Sequence, residues 1–90
     1  MKKTLTVDGI NIQIEMKETG QELGKYQFSS RKYDIWCFDD NWETAQEDLT
    51  WILKDRVKSF ISTPYSKMQS KHDREVWKTY QKLVQQGLSL

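Results

Sequence analysis

The hydrophobic period of the chain changes near residue 40, and that change constrains the fold class more than any other feature. From Trp42 to Ile61, one residue every 100° places Trp42, Ala45, Leu49, Ile52, Leu53, Val57 and Phe60 on a single stripe, the pattern of an amphipathic helix. Before residue 40, apolar and polar residues alternate, the pattern of half-buried strands. One residue breaks the helical order: Trp51 falls about 180° from Trp42, among Glu47, Asp48, Lys54, Asp55 and Lys58.

Asp8-Gly9 between two alternating runs is a strong hairpin signal, because a type I′ turn needs positive φ at both central residues. Residues 3 to 7 and 10 to 17 are expected to pair, with Val7 facing Ile10 and Leu5 facing Ile12. A three-residue loop, Glu18-Thr19-Gly20, would set Tyr26 against Ile12 and Phe28 against Ile10. A two-residue loop would bury the Gln27 amide without a partner. With Ser30-Arg31 as the next loop, the run from Tyr33 to Phe38 forms a fourth strand, Phe28 facing Tyr33 and Tyr26 facing Ile35. One face then gathers Leu5, Val7, Ile10, Ile12, Ile14, Tyr26, Phe28, Tyr33, Ile35 and Cys37, while Trp36 and Phe38 point the other way.

Asp40 with Glu43 reads as a capping box at the start of the first helix, with Asn41 as the alternative cap. Thr63-Pro64 ends that helix, and Pro64 suits the first position of another, although Ser70 with Asp73 imitates a second capping box. Tyr65, Met68, His72, Val76, Tyr80 and Leu83 line one side of this second helix, and Gly87 offers its stop. Lys67, Lys71, Arg74, Lys78 and Lys82 stand opposite. The expected architecture is α+β: a four-stranded antiparallel β-meander (residues 1–38) packed on one face by a long helix (40–62), followed by a C-terminal helix (64–87), in one domain. At the level of topology this order resembles double-stranded-RNA-binding domains and small antitoxins; no motif of either is matched residue by residue, and topology alone does not fix function.

Composition narrows the function. A chain of 90 residues buries only about 60 to 65% of its unfolded surface, so its 11 aromatics carry much of the core. The net charge is +1, but it is split: residues 1–63 hold nine Lys and Arg against eleven Asp and Glu, and residues 64–90 hold five against two. One cysteine, Cys37, has no internal disulfide partner, which suits a reducing, cytoplasmic setting. Lys2 and Lys3 lead into a segment without the apolar core of a signal peptide, and no run is long enough to span a membrane.

Cys37 and His72 are the sole thiol and imidazole, and both fall on apolar faces, so a structural Cys and a partly buried, hydrogen-bonded His are expected rather than a nucleophile and base. Asp39, Asp40 and Glu43 are better explained by capping than by metal binding. No phosphate-cradling loop, zinc spacing or G-x-S-x-G occurs. The expectation is therefore no enzyme, no cofactor and no metal. The first reading is a non-catalytic protein-interaction module, a small inhibitor or accessory protein of phage or mobile-element type. It would bind a protein partner or a second copy through Trp36, Phe38, Trp51, Lys54 and Lys58. The alternative is nucleic-acid binding through Lys67, Lys71, Arg74, Lys78 and Lys82, or pairing of that face with the acidic segment 39–48. A small-ligand-sequestering protein is third. The second helix is expected to cover either Trp51 or the far face of the sheet.

Overall fold

The computed structural model describes residues 1–90. Four antiparallel strands, β1 (Lys2–Val7), β2 (Ile10–Glu18), β3 (Tyr26–Ser30) and β4 (Ile35–Asp39), form one sheet in the order β1-β2-β3-β4. The helix α1 (Trp42–Ile61) and the helix α2 (Lys71–Gln85) follow, so the fold is α+β.

Asp8 and Gly9 both adopt positive φ, at 50° and 79°, and the first hairpin has the expected register, Val7 facing Ile10 and Leu5 facing Ile12. The other two turns are longer than expected. Tyr26 faces Glu18 and Phe28 faces Met16, so residues 19–25 form the loop between β2 and β3. Side chains make that length feasible. The Thr19 hydroxyl donates to the Gly24 carbonyl at 2.8 Å, and Asp40 Oδ1 accepts from the Gly24 and Lys25 amides at 2.8 and 3.1 Å. Asp40 is thus a loop clamp rather than the helix cap. Gly24 is required here, since a Cβ would lie 3.2 Å from that of Phe38 and φ is +69°.

At the third turn Ser30 faces Ile35 and Phe28 faces Cys37, so the loop is Arg31 to Asp34 and Tyr33 lies outside the strand. Ser30 Oγ accepts from the Tyr33 amide at 3.2 Å, and Asp34 takes positive φ, 54°, which Asp tolerates through local hydrogen bonding. Both register corrections move the pairing by an even number of residues. Each side chain therefore keeps its assigned face, and the core is as expected in kind though not in pairing.

Asn41 caps α1, accepting from the Thr44 amide at 2.8 Å. Ala45, Leu49, Leu53 and Val57 are buried, with Trp42, Ile52 and Phe60 packed at the margins of the same core. Beyond Ser62 the chain makes a short 3₁₀ turn, Tyr65–Lys67, instead of continuing a helix from Pro64. The second helix starts at Lys71, where Ser70 accepts from the Asp73 amide at 3.0 Å. Pro64 itself is extended, with ψ at 141°. The Trp77 indole N–H donates to the Thr63 carbonyl at 3.0 Å and packs edge-on to Tyr65, which secures the connection.

The second helix covers neither Trp51 nor the far face of the sheet. It docks beside α1 on the core face, burying Val76, Tyr80 and Leu83, with Leu88 beyond it. The reason is width. Strands about 4.8 Å apart make four of them wider than one helix about 10 Å across can cover. Fully buried Tyr80 carries the contact: its ring meets Phe60 edge-on at 5.3 Å, and its hydroxyl donates to the Tyr33 carbonyl. No helix is long and apolar enough to cross a membrane.

Candidate interaction surface

With both helices on one side, the other side of the sheet is open. Its two large apolar side chains are Trp36 and Phe38, on edge strand β4 and two residues apart on the same face, 50% and 53% exposed. Leu23, in the loop whose Gly24 packs on Phe38, is also exposed. Toward β1 the face becomes polar. There β2 and β3 diverge beyond Glu15 and Ser29, leaving an open trough of about 640 Å³ whose rim includes Gln13, Glu15, Lys17, Gln27, Arg31 and Lys32.

A second hollow, about 220 Å³, runs along the outer side of β4, between Trp36 and α1; Asp34, Ile35, Ile52 and Arg56 complete it. The acids at the two ends of β4 differ. At one end Asp34 accepts from Arg56, whose Nε also donates to the Tyr80 hydroxyl at 3.2 Å. At the other end Asp39 faces Asp48 of α1, and Asp39 Oδ2 is buried without a hydrogen-bond partner. The Asp48 carboxyl is pushed up, first by its hydrogen-bonding contact with Asp39 and then by burial. Cys37, next to this pair, has its thiol pushed up to about 12, chiefly by burial and secondarily by Asp39.

The remaining predicted residues are scattered. Trp51 is 68% exposed on the outer face of α1, bordered by Gln46, Glu47, Thr50 and Lys54, and the helix separates it from Trp36 and Phe38. Lys54 is held by Asp8 at 3.1 Å, whose carboxyl is lowered by the Ser89 amide and by Lys54, so its charge is already matched within the molecule. Lys58 is exposed and makes no ion pair. His72 is not partly buried as expected: its side chain is 65% exposed and 3.6 Å from Asp34. It therefore lies at the Asp34 end of β4, in solvent, whereas the buried thiol of Cys37 is at the centre of the strand.

Of the predicted basic face, Lys67 lies in the 3₁₀ turn and only Lys71, Arg74, Lys78 and Lys82 are on α2; none of the five pairs with an acid, including those of segment 39–48. Two of the five are engaged otherwise: Arg74 Nε donates to the Met68 carbonyl at 3.0 Å, and Lys78 lies over the Tyr65 ring. Asp39, Asp40 and Glu43 do not converge, since Asp40 is the loop clamp, Asp39 faces Asp48, and Glu43 is exposed in the first turn of α1. Sequence reasoning missed the charges around the β4 edge. Arg56 lies close to the apolar stripe in angle, but its partners come from the third turn and from α2, and neither placement has a local signal. No protein-family model, curated protein or solved structure matches this chain.

Proposed function

We propose that this chain is a non-catalytic protein-interaction module whose working surface is the aromatic rim of the open sheet face. The observation that supports this reading is the half-exposure of Trp36 and Phe38, side by side on the face of edge strand β4 that neither helix covers. Large aromatics rimmed by polar and charged groups supply much of the binding energy at protein interfaces. Trp51, alone among charged neighbours, is a weaker candidate. Lys54 is engaged with Asp8, so of the two α1 lysines only Lys58 is free to take part.

The chemistry of the polar groups fits a binding role. A thiol pushed up to about 12 is protonated at neutral pH, and it lacks an imidazole within reach. A single unpaired cysteine suits a reducing, cytoplasmic compartment. The role we assign is that of a small inhibitor or accessory protein. Binding should be lost in Trp36→Ser and Phe38→Ser, retained in Trp51→Ala, and little changed by moderate salt. Retention of the partner by both rim variants would overturn the reading.

The alternative rests on one observation: the α2 cations have no acidic partner within the molecule. A nucleic-acid complex at this face would weaken steeply with salt and disappear on charge reversal at Lys71, Arg74 and Lys78.

A further inference from the structure

We propose that a second copy of this chain occupies the outer edge of β4, the two β4 strands pairing antiparallel about Cys37 so that Trp36 of each copy lies across from Phe38 of the other. The inference rests on the reading of the Trp36 and Phe38 rim as an interaction surface and names its occupant.

The two edges of the sheet differ in their protection. β1 carries Lys2 and Lys3, charges of the kind that discourage edge pairing. β4, Ile-Trp-Cys-Phe-Asp, has no Lys, no Pro and one acid at its end. Its outer backbone groups have no neighbouring strand. Such an edge is a template for another strand.

The sequence of β4 is its own complement. Antiparallel pairing that overlaps the whole strand centres on Cys37 and sets Ile35 against Asp39 and Trp36 against Phe38. Opposite residues then share a face, so two aromatic pairs form on the open side. The same operation relates the charges. Arg56 stands at the Asp34 end of the edge, and the Asp39–Asp48 pair at the other, on the helix side of the sheet. An antiparallel two-fold brings the Arg56 end of each copy to the acidic end of the other, twice over, as an isologous interface requires. Arg56 keeps three N–H donors beyond those given to Tyr80 and Asp34. The second copy thus brings a cation to the exposed Asp48 carboxyl, at an acidic end that no cation of the same chain pairs with.

Sedimentation equilibrium on the full chain, from micromolar to millimolar concentration, should give twice the 10.8 kDa chain mass. Phe38→Lys and Trp36→Lys should each weaken the dimer by about a hundredfold or more while leaving the circular dichroism and melting temperature of the monomer intact. Trp51→Lys should remain dimeric. A monomer at every concentration would overturn self-pairing, and the rim would then be judged on whether Phe38→Lys loses a different protein partner. A dimer kept in Phe38→Lys but lost in Trp51→Lys would overturn both this proposal and the reading of the rim.

Discussion

Asp34 and Asp39 flank the same strand and meet opposite fates. Asp34 lies in a turn gripped by both helices: Arg56 of α1 reaches it, and Tyr80 of α2 ties Arg56 to the Tyr33 carbonyl. Asp39 lies where the chain leaves the sheet for α1, where it faces Asp48 and pairs with no cation. One end of β4 is a closed network and the other is an acid pair without a cation. A polar cluster built by three elements can satisfy all its members, whereas one at a strand-to-helix junction meets only what two elements supply. The incomplete end is where a partner has something to add.

The closed end should be the costlier to break. Tyr80→Ala is expected to lose about 3 to 5 kcal/mol in chemical denaturation, since a fully buried aromatic leaves a cavity at the junction of both helices. Tyr80→Phe keeps the packing and removes the donor to the Tyr33 carbonyl, for a loss of about 1 to 3 kcal/mol. If the two variants proved equal, the network rather than the ring would hold α2 in place. Arg56→Met should fall in the same range as Tyr80→Phe, about 1 to 3 kcal/mol, since it strips Asp34 and the Tyr80 hydroxyl of their partner at a site one-third exposed.

The open end should respond with the opposite sign. Asp48 is raised above its unfolded value, so the stability it contributes is present below the unfolded pKa and is lost as pH rises through the carboxylate range. Asp48→Asn removes that loss and lets an amide donate to Asp39, raising monomer stability at neutral pH by under about 0.5 kcal/mol, because Asp48 is exposed. Asp8 is lowered by Ser89 and Lys54, so its contribution is present above the unfolded pKa and lost as pH falls. Melting temperatures of Asp48→Asn and Asp8→Asn against pH should therefore diverge from wild type in opposite directions. Trp51→Ala should change stability by less than about 0.5 kcal/mol, the smallest effect of the set.

The covered face was legible in the sequence because its signals are local. Alternation assigns each strand residue a face, and the helical period assigns the α1 stripe; both survive an even register slip, which is why Phe28 is core although its partner is Met16 rather than Ile10. Asp8-Gly9 fixes its own hairpin. The longer loops were not legible, because they depend on the Asp40 side chain closing a segment 16 residues earlier and on Asp34 adopting positive φ. Of the candidate surface, the outward direction of Trp36 and Phe38 could be read from parity. That both would stay open could not, because it depends on α2 docking beside α1, through Tyr80 and a carbonyl 47 residues away.

The edge of β4 as a self-pairing surface is tested most directly by isotope-filtered NOE spectroscopy on a mixture of labelled and unlabelled chains. Contacts between the Trp36 ring of one chain and the Phe38 ring of another are predicted, strengthening with concentration and absent in Phe38→Lys. A concentrated sample that tumbles as a 10.8 kDa monomer with no such contacts would contradict it.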